Sequence, residues 1–239
     1  MTVSRSAHGT YSRASLRMQV RFTESDELQA AFSKSLSVPR LSRYLSDTMN
    51  DKKRALEFYM WNTKMSQSFY PILQSWEVCF RNKMNIFLAS RYGANWPYEN
   101  AHFVRQLKHI DKARLEDARY RQERKRRVNP APVGAIVADL SAGFWVSMLG
   151  KSYRLPFVWR TNIRIVFPND IALTRGDAHS ISAQVLDLRN RIAHHEPIYH
   201  LPLEQIHRDA TRLCGAMCVG TLGYIREICT FNQARNTRP

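Results

Sequence analysis

A chain of 239 residues is long enough for one large domain or two small ones, and it can bury a core without disulfide or metal staples. Its 36 Lys and Arg against 20 Asp and Glu leave a formal charge of +16, which argues against an acidic or neutral surface and favours a polyanionic partner, nucleic acid above all. Nine glycines among plentiful Leu, Ala, Arg, Met and Gln predict a mostly helical protein.

Four cysteines, Cys79, Cys214, Cys218 and Cys229, make no disulfide framework in a chain this large. Cys214 and Cys218 stand four residues apart among apolar neighbours and read as helix core. Their C-x-x-x-C interval has no second Cys/His pair beside it, so no structural zinc is expected. Reduced thiols suggest the cytoplasm. No apolar run approaches membrane-spanning length and the N-terminus has no apolar leader, so no membrane partner is expected.

Taken in order, residues 1–23 are rich in Ser and Arg and contain no acid, and residues 1–35 as a whole are expected to be a basic, flexible segment. Within it, Glu24 to Ser35 has the composition of a short helix, and Val38-Pro39 opens a second. Asp51 to Gln67 predicts a helix with Leu56, Tyr59, Met60 and Thr63 on one side. Pro71 is expected to break it, with a new helix from about Ser68 to Tyr92 capped by Gly93. That helix places Ile72, Leu73, Trp76, Cys79, Phe80 and Phe87 on one stripe. Glu77 and Arg81, four residues apart at its edge, are spaced to pair.

Trp96-Pro97 marks a loop, and Asn100 to Arg127 reads as one charged helix ending in the basic run RYRQERKRRV. This run suits a solvated helix face or an RNA-backbone contact. Ala135 to Leu149 predicts an apolar helix presenting Ile136, Leu140, Phe144 and Met148, with Gly150 as its stop. Pro156 to Phe167 fits a helix or a strand, and the absence of a convincing partner strand favours helix. Asp177 to His195 and Pro202 to Cys229 predict the last two helices, and residues 230–239 a polar tail. The simplest account is one all-α domain over residues 36–229.

The densest chemistry lies in LDLRNRIAHHEPIY, Leu186 to Tyr199. Arg189, Asn190 and His194 spell R-N-x-x-x-H, and His195 follows at once. An imidazole moves protons near neutral pH, and a guanidinium stabilises the charge of a pentacoordinate phosphorane. Those are the groups needed to cut a phosphodiester without a metal. On an ideal helix, Ile181, Val185, Leu188 and Ile192 form the buried stripe, and Arg189 and His194 point about 140° apart. One straight helix therefore cannot wrap both around one phosphate. Either Pro197 unwinds the helix end and swings the histidines round, or two chains pair across a two-fold axis and share the site. The second is expected, assisted by the first. A His-His pair before proline also suits simple helix capping. His194, His195 and His200 with Glu196 do not make a metal set, because neighbouring histidines diverge on a helix and no H-E-x-x-H spacing appears.

Several strings together resemble the Abi-like family of bacterial abortive-infection proteins, within the HEPN superfamily of helical ribonucleases. They are PRLSRYL at Pro39–Leu45, ALEFYMWN at Ala55–Asn62, EVCFRN at Glu77–Asn82, YGANW at Tyr92–Trp96, DLSAGFWVSML at Asp139–Leu149 and RNRIAHH at Arg189–His195. The resemblance spans most of residues 36–228. It implies an all-α, HEPN-like helical bundle with additional helices and a homodimer with R-x4-6-H motifs at its interface. It also implies metal-independent endoribonuclease activity without a cofactor. By position, Arg189 and a histidine of the His194/His195 pair would be catalytic, with Asn190 as the polar residue after the arginine. His194 is favoured by the R-N-x-x-x-H form. Glu77, Arg81 and Asn82 match a second family string and are expected to line the same cleft, with Arg191 as a further RNA contact.

The implied role is a toxin-like effector of phage defence, restrained by an antitoxin protein or a small RNA. The rival is a non-catalytic RNA-binding HEPN module that holds a regulatory RNA. A buried ion pair at Arg189, away from solvent, would favour the rival.

Overall fold

Helices make up all the regular structure in the computed structural model, which describes residues 22–99 and 101–239. The basic segment expected at the N-terminus lies outside these residues up to position 21. By its internal contacts the chain divides into two units, one running up to Thr63 together with Thr237–Pro239, the other Lys64–Asn236. A helix runs across position 35, and another forms within the expected tail.

In the first unit, α1 (Asp26–Leu36) begins where the Ser25 hydroxyl accepts the Leu28 N–H at 3.2 Å. It is followed by α2 (Val38–Asp47), with Pro39 in its first turn. The Tyr59 ring takes edge contacts from Phe32 at 5.8 Å and Tyr44 at 5.2 Å. Those rings join α1 and α2 to the start of α3.

Helix α3 runs without interruption from Lys52 to Tyr92, with Pro71 inside it. The expected break at Pro71 is absent. A proline in a helix interior costs about 3 kcal/mol. Around it, Phe69, Ile72, Leu73 and Trp76 are each at most 7% exposed, and burying such side chains contributes about 1.5–3 kcal/mol apiece. Burial wins. The stripe through Ile72, Leu73, Trp76, Phe80 and Phe87 is buried as the spacing predicts, while Cys79, expected on it, is only half-buried. Further back the buried side runs through Ala55, Leu56, Trp61 and Met65, and Thr63, expected there, is exposed. At the far end Gly93, with φ 90°, donates to the Ala89 carbonyl at 2.9 Å.

The second unit adds α4 (Trp96–Glu99), α5 (Ala101–Gln106), α6 (His109–Arg126), α7 (Val133–Asp139), α8 (Ala142–Met148), α9 (Trp159–Val166), α10 (Arg175–Ala193), α11 (Leu203–Met217), α12 (Val219–Ile228) and α13 (Phe231–Arg235). Helix α10 packs on α8, α9 and α11, α11 on α12, and α6 on α7 and α8. The segment around Trp159 is helical, as chosen from its pattern.

Three stretches read as single helices are each split. The charged one divides at Leu107–Lys108, because the Tyr153 hydroxyl accepts the Lys108 N–H at 3.0 Å and donates to Asp111 at 2.8 Å, with Asp111 wholly buried. The apolar one divides at Leu140–Ser141, beyond Asp139, whose carboxylate accepts from Arg121 at 2.8–2.9 Å and from Gln122 at 3.1 Å. Ile136, Leu140, Phe144 and Met148 are all buried. The last one divides at extended Cys218, and there Gly215 lets Leu222 approach so closely that an added Cβ would lie 2.9 Å from its Cδ2. In the expected polar tail, Phe231 is buried and stacks on His207 at 4.1 Å.

Candidate functional site

Helix α10 is held at both ends. At its start Thr174 and Asp177 form a capping box: the Asp177 N–H donates to the Thr174 hydroxyl at 3.1 Å, and the Thr174 N–H donates to Asp177 at 3.1 Å. The Thr174 hydroxyl, donating to that carboxylate at 2.7 Å, and the Thr174 N–H together hold the Asp177 carboxyl below its usual range. Ala178, Ile181, Val185 and Leu188 bury one side of the helix. Ile192, expected to continue this stripe, is only half-buried and turns toward a groove.

The helix stops at Ala193, two residues before the expected end at His195. His195 adopts φ 57°, the left-handed conformation in which glycine is usual. Its N–H donates to the Ile192 carbonyl at 3.0 Å, and the Glu196 N–H donates to the Arg191 carbonyl at 2.8 Å. This is the Schellman arrangement, completed by side chains: Arg191 bonds Asp187 at 3.0 Å and Glu196 at 3.3 Å. Pro197 is the sequence cause, since it disfavours helical geometry at Glu196. Arg191 is thereby engaged in the helix end rather than in a cleft.

Between α3 and α10 lies an open groove of about 420 Å³. Leu73, Glu77 and Arg81, four residues apart, line it from α3 beside Val78, and Arg189, Ile192 and Ala193, at i, i+3, i+4, line it from α10, spacings that put side chains on one helix face. The Arg189 Nε lies 3.5 Å from the Glu77 carboxylate, with the Arg189 side chain 43% exposed and Glu77 28%. Its Nη1 reaches the Asn190 amide oxygen at 3.4 Å. A long, half-exposed pair of this kind contributes at most about 1 kcal/mol. It is not the buried ion pair that would immobilise Arg189. The Nε of Arg81 is buried and has no acceptor among the described residues, and the groove is lined by two guanidinium groups and one carboxylate. Such a lining suits a phosphate.

No family model, curated protein or solved structure matches the chain.

The structure brings Glu77, Arg81 and Arg189 into one groove and leaves the remaining candidates outside it. Asn190, His194 and His195 are exposed, and neither histidine lines the groove. His194, with φ −90°, caps the helix close to its helical position, so the wide angle from Arg189 persists. The left-handed turn at His195 does not bring either imidazole round. Asn82 opens onto a neighbouring groove of about 520 Å³, lined also by Cys79, Lys83, Cys218 and Tyr224.

That second groove was not legible in the sequence. Cys214 is buried, as its spacing predicts, but Cys218 sits half-buried at the break before α12. The hydroxyl and N–H of Thr221 hold its thiol below the usual range, and burial pushes the Cys79 thiol up. All four cysteines are free. Among the described residues no three His, Cys, Asp or Glu side chains cluster as a metal set, and no helix is long and apolar enough to cross a membrane.

Proposed function

We propose that the chain is a metal-independent endoribonuclease of the HEPN type, acting as a toxin-like effector in bacterial phage defence. The observation that carries this reading is Arg189 on an open, cation-rich groove beside Arg81, at the end of a helix that terminates in two exposed histidines. In the proposed reaction the substrate's 2′-oxygen attacks the adjacent phosphorus as its proton passes to an imidazole. The bond to the 5′-oxygen then breaks, and that oxygen takes a proton from an imidazolium. The products are a 2′,3′-cyclic phosphate and a 5′-hydroxyl. Arg189 stabilises the extra charge on the phosphoryl oxygens, and Asn190, in contact with Arg189, positions the guanidinium or the ribose.

Because neither histidine borders the groove of its own chain, the reading requires a homodimer in which one subunit supplies Arg189 and the other an imidazole. His194 is the favoured base. An antitoxin protein or small RNA is the expected restraint. The same observation favours a second reading, a non-catalytic module that holds RNA against Arg81 and Arg189 without cutting it. Labelled single-stranded RNA incubated with the protein in EDTA separates the two. Cleavage to cyclic-phosphate ends, lost in Arg189→Ala and His194→Ala, supports the enzyme. Tight binding that leaves the RNA intact supports the module.

A further inference from the structure

Helix α6 carries the basic run, and its two sides are chemically distinct. Asp111, Leu115, Ala118 and Gln122 are buried, on the side packed against α7 and α8. Opposite them, Tyr120 is 60% exposed. Arg124 lies with its guanidinium 5.5 Å from the Tyr120 ring centroid and donates to its hydroxyl at 3.2 Å. The helical period puts Tyr120 and Arg124 only about 40° apart. Arg119, one residue before, lies over the Tyr98 ring at 4.4 Å. Arg124, Lys125, Arg126 and Arg127 follow in succession, all exposed.

Most acidic groups nearby are engaged, Glu123 with the Tyr98 hydroxyl, while Asp117 is exposed. Asp139 binds Arg121, Glu116 binds Lys112, and Asp111 binds Arg114. Among the described residues, none of the four consecutive cations has a carboxylate within ion-pairing distance. The helix dipole favours one or two cations in a last turn. Four adjacent ones repel, and the dipole gives no reason for an exposed tyrosine among them. A polyanion with planar rings satisfies both features. Phosphates neutralise the cations, and an unpaired base stacks on a ring already flanked by a guanidinium. Duplex RNA offers no free base face, and an acidic peptide meets the charge but not the ring.

We infer that the exposed side and last turn of α6, Tyr120 with Arg124 to Arg127, form a docking platform for single-stranded RNA outside the Arg189 groove. This rests on the reading of the chain as an RNA-acting protein. It deepens that reading by placing a second contact, with Tyr120 for a base and the four cations for the backbone.

The test is fluorescence anisotropy of the full chain with a labelled single-stranded oligoribonucleotide, across a salt series. Tyr120 and the four cations are exposed, so their variants are expected to melt like the parent. Tyr120→Ala should weaken binding by about fivefold to a hundredfold. The combined variant Arg124→Gln, Lys125→Gln, Arg126→Gln, Arg127→Gln should lower the slope of log affinity against log salt by up to about 3, at about 0.7 for each phosphate contact. A parent that binds RNA, with both variants matching it in affinity and slope, overturns the platform while leaving the RNA reading intact. A parent that binds no RNA overturns both. Binding of polyglutamate as tight as that of RNA, indifferent to Tyr120→Ala, overturns the platform in favour of an acidic protein partner.

Discussion

His195→Gly separates the structural duty of the helix end from its chemical one. His195 holds φ 57°, and for a residue with a Cβ that conformation costs about 1–2 kcal/mol. Glycine relieves the strain but loses about 0.5–1 kcal/mol more backbone entropy on folding. The net expectation is a gain of about 0.5–1 kcal/mol, or about 1–4 °C in melting midpoint for a chain of this size. His195→Ala keeps the strain and loses the imidazole, so it should melt below the glycine variant. If His195 moves a proton during cleavage, both variants lose activity by about 10²–10⁴-fold. Stability and activity then shift in opposite directions in the glycine variant alone. Calorimetry gives the first and single-turnover RNA cleavage the second. A glycine variant that melts below the parent refutes the strain reasoning and means that the contacts of the imidazole outweigh the left-handed backbone. A more stable glycine variant with full activity assigns the base to His194.

Co-expressing Arg189→Ala and His194→Ala subunits tests the shared site. If one chain supplies the arginine and the other the histidine, mixed dimers retain one intact site, and random pairing restores about a quarter of parent activity. No recovery means both groups come from one chain. Tyr153→Phe removes the donor to buried Asp111 and the acceptor of the Lys108 N–H, and should cost about 2–3 kcal/mol in denaturant titration. An unchanged midpoint would show that the break before α6 has another cause. The His207 and His179 imidazoles are held below their usual value of 6.5, chiefly by burial, with Arg208 adding to this at His207 and Arg175 and Lys108 at His179. A depressed histidine favours the neutral folded state, so its contribution is present above pH 6.5 and is lost as pH falls through the folded value. Melting points measured from pH 7 down to 5 should therefore decline, and His207→Phe should flatten the decline. A parent profile that rises toward pH 5 would reverse the sign and refute the burial argument.

What the sequence showed about the fold was periodicity. Ile72, Trp76, Phe80 and Phe87 announce the buried side of α3 by spacing alone, whereas the helix start expected at Asp177 lies at Arg175, with Thr174 as its cap. Pro71 was misread, because a local breaker is weighed against burial that only the tertiary structure supplies. The splits at Lys108, Leu140–Ser141 and Cys218 escaped for a related reason. They depend on Tyr153, on the Arg121 and Gln122 contacts, and on the close approach of Leu222 to Gly215, none of which is written in the local sequence. At the site, the expectation that Glu77 and Arg81 share a groove with Arg189 rested on a family resemblance alone, and helix spacing could not show that Asn82 faces the neighbouring groove. Pro197 signalled a helix end. It did not reveal that His195, rather than a glycine, would take the left-handed position.

The exposure of Arg189 bears on the two-chain proposal independently of the angle to His194. A charge pair 4 Å apart is worth about 1 kcal/mol in water and about 4 kcal/mol at the effective dielectric of a protein surface shielded from solvent. With its side chain 43% exposed, Arg189 lies nearer the first case, and one kcal/mol is less than a tenfold effect on rate. A guanidinium that is to stabilise a phosphorane needs the groove covered. Its rim is suited to that: Tyr70 is 65% exposed and Val78 38% exposed, both at the groove edge, apolar surface that a second copy would bury. Covering the groove would exclude water, strengthen Arg189 and carry the partner's imidazole toward it in the same step. On the two-chain proposal such a site would be weak as a monomer for two separate physical reasons, the absence of a base and the screening of the clamp, and dimerisation would remove both.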